Sequence, residues 1–170
     1  MMKIFTPDRK NYSEIVDLIN ESDSIFFNIY TERELEEIHV ADFTIEDLIL
    51  GEKSREYIVL AEDDRIVSFV SFRLKNDQTI WISSLYVDKK EQKKGYGSRL
   101  LKEVEKVALK REVSTVVLET AEKAKWAVNF YLKNGYQILS VHDLKLFPYD
   151  KVIDKTPAPN RFIFGKKIFV

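Results

Sequence analysis

One handover constrains the fold of this chain more than any other feature. The heptapeptide Gln92-Lys93-Lys94-Gly95-Tyr96-Gly97-Ser98 lies between an apolar segment, 80–87, and an amphipathic one, 99–111. Two glycines one residue apart let the backbone turn tightly, with its N–H groups converging on the positive end of the helix that begins there. Such a turn suits an anionic phosphate and requires a strand before it and a helix after it. A Gly-x-Gly turn is also what a plain solvated loop before a helix looks like, so its neighbours carry the reading.

Residues 3–5 read as a short strand ended by Thr6-Pro7-Asp8, after which Tyr12, Ile15, Val16 and Ile19 repeat at helical spacing. Thr31 with Glu34, and Thr44 with Asp47, each place a hydroxyl three residues before a carboxylate, the capping pattern that opens a helix; Gly51 closes the second. Phe26, Phe27 and Tyr30 form an aromatic cluster ahead of them. Segments 57–61, 66–74 and 79–87 are rich in β-branched and aromatic residues, and Asp63-Asp64 and Asn76-Asp77 separate them, which predicts a three-stranded antiparallel meander.

After the glycines, Leu100, Leu101, Val104, Val107 and Ala108 form one apolar stripe of a helix packed on the sheet. Residues 115–120 read as a buried strand, and about 123–133 as a helix closed by Asn134-Gly135. Strands are expected at 136–141 and 161–170, on either side of a proline-bearing loop at 147–159. No repeat or linker interrupts the chain, so the expectation is one domain over 1–170. Its class is α/β (α+β), with a single mixed, mostly antiparallel sheet of about seven strands and helices on both faces.

Composition narrows the chemistry. A chain of 170 residues, 45% apolar and 32% charged, can bury a real core, and a net charge of −1 does not point to nucleic acid. From Thr31 to Asp64 there are twelve acidic residues against three basic, and from Lys89 to Glu112 nine basic against four acidic. One region suits cations and the other anions. Cysteine is absent, which excludes disulfides, thiolate metal sites and a cysteine-bound intermediate. His39 and His142 are too few and too far apart to suggest a metal centre, so no metal is expected. No run of eighteen apolar residues and no leader pattern is present, so a cytoplasmic protein without a membrane partner is expected.

Two common phosphate loops fail on spacing. A mononucleotide P-loop ends in Gly-Lys-Ser or Gly-Lys-Thr, whereas Gly97 precedes Ser98 and Arg99; a dinucleotide fingerprint needs a third glycine where Leu100 stands. Gln92-Lys93-Lys94-Gly95-Tyr96-Gly97 does resemble the Gln/Arg-x-x-Gly-x-Gly/Ala signature of the GNAT superfamily of N-acetyltransferases. Residues 127–136, Ala-Val-Asn-Phe-Tyr-Leu-Lys-Asn-Gly-Tyr, resemble that family's second motif. The likeness covers nearly the whole chain and is weakest after about 141.

The resemblance implies acetyl-CoA as co-substrate. Its pyrophosphate would lie on Gln92, Lys93, Lys94, Gly95, Tyr96, Gly97 and Ser98, and its pantetheine and thioester beside the backbone of Leu85, Tyr86 and Val87. A bulge in the fourth strand would splay it from the fifth and free main-chain groups for that arm. Asn129 and Lys133 are further expected coenzyme contacts. The implied reaction is direct attack by a deprotonated amine on the thioester, with a strand N–H near Tyr86 or Val87 holding the oxyanion and Tyr131 as general acid toward the leaving thiolate. Tyr131 also reads as a core aromatic beside Trp126, Ala127 and Phe130.

Two departures from the family pattern stand out. Trp81-Ile82-Ser83-Ser84 holds no carboxylate where some members have a glutamate base; Glu119, expected at the sheet edge, is then the nearest candidate, acting through water. Ala124 stands where many members have asparagine. The acidic residues Glu32, Glu34, Glu36, Glu37, Asp42, Glu46 and Asp47 border the acceptor side in the family, which predicts a cationic amine: a polyamine, a lysine side chain or a protein N-terminus. A solvated helix face is the plain alternative for them. The final strands and proline-bearing loop are open to two uses, completing the acceptor pocket or forming a homodimer contact. A different class, a catalytically silent acetyl-CoA sensor, would keep the glycines and has no need of Tyr131.

Overall fold

The computed structural model describes residues 1–24, 28, 30–38, 42–139 and 161–168, with 36–38 by their backbone alone. Phe26, Phe27, His39, His142 and the loop 147–159 lie outside the described residues, as do the side chains of Glu36 and Glu37.

Among the described residues there are seven strands: β1 (Met2–Phe5), β2 (Glu56–Glu62), β3 (Arg65–Asn76), β4 (Thr79–Val87), β5 (Thr115–Ala121), β6 (Gln137–Ile138) and β7 (Arg161–Lys167). They hydrogen-bond in the order β1-β2-β3-β4-β5-β7-β6. The β4/β5 pair is parallel, whereas β1/β2, β2/β3, β5/β7 and β6/β7 are antiparallel, so the sheet is mixed as expected. Among the described residues five α-helices accompany it: α1 (Tyr12–Asp23), α2 (Glu32–Ile38), α3 (Ile45–Gly51), α4 (Tyr96–Lys110) and α5 (Lys125–Lys133). The chain forms two compact units, Met1–Phe72 with Ser84–Glu103 and Arg73–Ser83 with Val104–Val170.

In the first unit, Tyr57, Val59 and Ala61 alternate along β2 and join Ile66 and Phe69 of β3 in a core with Tyr12, Ile15, Leu18 and Ile19 of α1 and Leu48 of α3. Each such side chain contributes about 1.5–3 kcal/mol when fully buried. The β2–β3 turn is tight because Asp63 and Asp64 both take left-handed φ, 49° and 64°. Thr44 caps α3: its Oγ1 accepts the Asp47 N–H at 3.3 Å, while the Asp47 carboxylate accepts the Thr44 N–H at 2.9 Å. Thr31 and Glu34 repeat that exchange at α2. Two of the acidic residues expected to attract a cation are therefore helix caps. Gly51 is the last residue of α3, as expected, and a side chain there has no room: a Cβ would lie 2.0 Å from the Tyr57 hydroxyl, which donates to the Leu48 carbonyl at 2.9 Å.

In the second unit, β5 lies between β4 and β7, and Val116, Val117 and Leu118 are fully buried. This corrects the expectation that Glu119 sits at the sheet edge: β7, the last strand in sequence, inserts beside β5 and covers it. Helix α5 starts two residues later than the sequence suggested, because Ala124 takes the N-cap position and has no side-chain oxygen to cap with. It ends as expected, with Gly135 at φ 82° and the Tyr136 N–H returning to the Tyr131 carbonyl at 3.1 Å. Strand β6 is Gln137–Ile138, and positions 140 and 141 of the strand expected at 136–141 lie outside the described residues.

Candidate functional site

The glycine turn is prepared by a clamp on the residues ahead of it. Asp88, just after β4, donates its N–H to the Val67 carbonyl at 2.9 Å and accepts the Lys90 N–H at 2.8 Å. The Arg65 guanidinium pairs with both Asp88 and Glu91, the latter at 2.8 Å, and Lys94 Nζ reaches the other Glu91 oxygen at 2.6 Å. Burial works to raise the Asp88 carboxyl, but the Lys90 N–H and the Arg65 guanidinium together hold it below the usual aspartate value. A short 3-10 turn, Lys89–Glu91, is thereby pinned to β3 from its two ends.

The chain then reverses through two left-handed residues, Lys93 at φ 65° and Gly95 at φ 87°. A Cβ on Gly95 would meet nothing within 4 Å, so space is open there. The first bond of the α4 ladder runs from the Arg99 N–H to the Gly95 carbonyl at 3.1 Å. The N–H groups of Tyr96, Gly97 and Ser98 precede it and point out of the helix end. Tyr96 itself is buried and donates its hydroxyl to Glu62, a bond that raises the phenol above its ordinary value. Its role is to anchor the helix start on β2, leaving the main chain to meet a ligand. Gln92, Lys93 and Lys94 are exposed, and Lys94 is already neutralised by Glu91.

On β4, pairing with β5 covers only Thr79–Ile82 against Thr115–Leu118, although β4 runs on to Val87 and β5 to Ala121. The main chain beyond Ile82 has no β5 partner, and residues 83–87 are half-buried at every position rather than alternating. The expected bulge was to lie in β4. The register irregularity in the described ladders falls instead in β2, between Leu60 and Ala61. Leu85, Tyr86 and Val87 all lie beyond the β4/β5 ladder. Ser84 Oγ is 3.0 Å from Ser71 Oγ, and the Tyr86 hydroxyl donates to Asp23 Oδ2 at 3.3 Å.

In the second unit, Tyr131 is buried on α5 among Phe130, Tyr136 and Phe164, with ring centroids 5.1, 6.0 and 5.6 Å away. Burial pushes its phenol far above the ordinary tyrosine range, and its hydroxyl has no hydrogen-bond partner among the described residues. Asn129 and Lys133 are exposed on the same helix. Glu119 is ion-paired with Arg161 across β5/β7, both side chains about a quarter exposed. A base role for Glu119 would first require displacing that guanidinium.

Sequence reasoning missed Arg65, Glu62, Glu91 and Asp23. Asp88 left a trace, an aspartate one residue past a strand, whereas the partners 23 to 63 residues away left none.

A model of the acetyltransferase (GNAT) family matches residues 14–136. No curated protein matches the chain significantly in sequence. Among solved structures, the PaiA N-acetyltransferase of Thermoplasma acidophilum in complex with coenzyme A superposes with a TM-score of 0.77 at 18% identity, covering 98% of this chain and 99% of that one. A GNAT-family acetyltransferase from Staphylococcus aureus Mu50 gives 0.73 at 18% identity, covering 99% of this chain and 100% of the other. The ribosomal-protein-S18-alanine N-acetyltransferase of Escherichia coli gives 0.72 at 14%, covering 100% and 96%.

Proposed function

The chain belongs to the GNAT family of acetyltransferases, acyl-CoA-dependent N-acyltransferases, and from that premise we propose that residues 1–170 act as one domain moving the acetyl group of acetyl-CoA to a cationic primary amine. The observation that carries this reading is the turn at Gly95, left-handed and open, followed by three helix-end N–H groups outside the α4 ladder. Those groups fit a pyrophosphate, and the main chain of Leu85, Tyr86 and Val87, beyond the β4/β5 ladder, fits an amide-bearing arm. The relative crystallised with coenzyme A supports the same assignment. The thioester supplies an activated acetyl group whose transfer leaves a thiolate to be protonated.

The chain's residues then divide the work. The N–H groups of Tyr96, Gly97 and Ser98, with Lys93, hold the phosphates; Lys94 joins them only by leaving Glu91. A main-chain N–H near Tyr86 or Val87 donates to the oxyanion. Tyr131 holds the proton for the thiolate. Its raised pKa keeps it protonated across the physiological range, at the cost of a weaker driving force for donation than an ordinary phenol would have. Asn129 and Lys133, exposed on α5, are kept as contacts along the coenzyme. Glu119 is less suited to be the base because Arg161 already neutralises it.

Release of coenzyme thiol in the presence of a panel of amines tests the reading, and the absence of protein cysteine keeps that assay clean. Acceleration by cationic primary amines is expected. Coenzyme binding without acceleration by any amine would make the chain a sensor instead. Replacing Glu36 and Glu37 by Gln is expected to weaken acceptor binding at low salt, and an unchanged acceptor KM there would remove steering by the acidic segment.

A further inference from the structure

Helix α1 ends in a way that leaves negative charge without a cation among the described residues. Its twelve residues close on Asp23, no basic side chain lies in its last turn, and the helix dipole places partial negative charge at that same end. A carboxylate there is repelled by the carbonyls around it. Asp88 of this unit is compensated by Arg65, and Glu91 by Arg65 and Lys94, whereas Glu62, like Asp23, accepts a tyrosine hydroxyl. Asp23 has one partner among the described residues, the Tyr86 hydroxyl at 3.3 Å, which leaves most of its acceptor capacity unused.

The position of this carboxylate gives it meaning. Tyr86 lies on the part of β4 that lacks a β5 partner, and its ring packs against the core shared by α1, β2, β3 and α3. Asp23 therefore sits one tyrosine side chain and one hydrogen bond away from the main chain assigned to the thioester. That is too far to touch the reacting nitrogen and is the length of a short alkyl chain.

We propose that Asp23, presented by the α1 terminus and Tyr86, binds a second, non-reacting ammonium group of the acceptor. The preferred substrate class is then an alkyl amine carrying another cation about four carbons away. This rests on the N-acetyltransferase reading and deepens it. Desolvation, which raises the Asp23 carboxyl and is only partly offset by the Tyr86 bond, is the cost that a bound ammonium would relieve.

The test is calorimetric binding to the coenzyme A-loaded protein, with 1,4-diaminobutane and butylamine as probes, so that it does not depend on turnover. The wild type is expected to bind the diamine at least about tenfold more tightly than the monoamine, as a desolvated charge pair allows. Asp23→Asn should bring the two within about threefold of each other, and Asp23→Glu should keep part of the preference. A lysine-containing peptide amide as third probe separates a small diamine from a protein substrate, because only the diamine should lose affinity in Asp23→Asn. Equal binding of diamine and monoamine by the wild type, or an undiminished preference in Asp23→Asn, overturns the proposal. Failure of thiol release with every amine would instead count against the acetyltransfer reading, since the binding preference is read without chemistry.

Discussion

The glycine turn and helix α5 carry comparable weight in the proposed reaction and are built on opposite principles. The turn is exposed, its conformation is fixed by two left-handed residues, and what it offers a ligand is main chain. Helix α5 offers one side chain, Tyr131, buried in an aromatic cluster that would pack as well around phenylalanine. A site made of backbone writes itself into the sequence as glycines at fixed spacing. One made of a buried side chain is indistinguishable from core until its chemistry is measured.

Removing the Tyr131 hydroxyl probes that contrast hardest. Tyr131→Phe is expected to lower kcat by about 10²–10³ while acetyl-CoA affinity changes less than about twofold, the pattern of a group used in the transition state. Because that hydroxyl has no described partner, the variant should unfold within a degree or two of the wild type. Unchanged kcat would return Tyr131 to the core. On the other side of the comparison, Arg65→Ala loosens the clamp on Asp88 and Glu91 without touching the turn. Acetyl-CoA affinity should fall roughly five- to tenfold with kcat preserved, as expected when a binding loop loses its preorganisation. An unaltered affinity would mean that the two left-handed residues suffice.

The smallest expected effect concerns Asp23. Its carboxyl is raised in the folded protein, so the folded state holds its proton to higher pH than the unfolded chain. Stability is therefore fully present below the ordinary aspartate value and is lost as pH rises through the raised one. Asp23→Asn, which mimics the protonated form, should raise the Tm of the ligand-free protein by about 1–3 °C at neutral pH, with the gain vanishing in acid. A variant more stable yet poorer in diamine binding would mark Asp23 as a functional residue, whereas a lower Tm would mark a structural one.

What the sequence made legible follows the same division. Strand runs, the Asp63-Asp64 turn, both Thr-x-x-acid caps and the Asn134-Gly135 stop are local signals, and each recurs in the structure close to its expected place. Strand order was not legible, because β7 reaches β5 across a long segment and only that insertion places Arg161 beside Glu119. Nor were Glu62 under Tyr96 or Asp23 under Tyr86, since each pairing is set by which sheet face a side chain occupies and by a helix end 34 or 63 residues distant. Gly51 shows the limit from the other side: a helix stop was read from it, and only the structure shows that the Tyr57 hydroxyl leaves no room for a Cβ there.

The central claim is that residues 92–98 hold the pyrophosphate through main chain at Gly95. It is met most directly by measuring the affinity of wild type and Gly95→Ala for acetyl-CoA and for acetyl-pantetheine, which lacks the pyrophosphate. A side chain at φ 87° costs about 1 kcal/mol of backbone strain and disturbs the converging N–H groups. The account predicts at least about tenfold weaker binding of acetyl-CoA by Gly95→Ala and no change for acetyl-pantetheine. Equal losses for both ligands, or none for either, would contradict it.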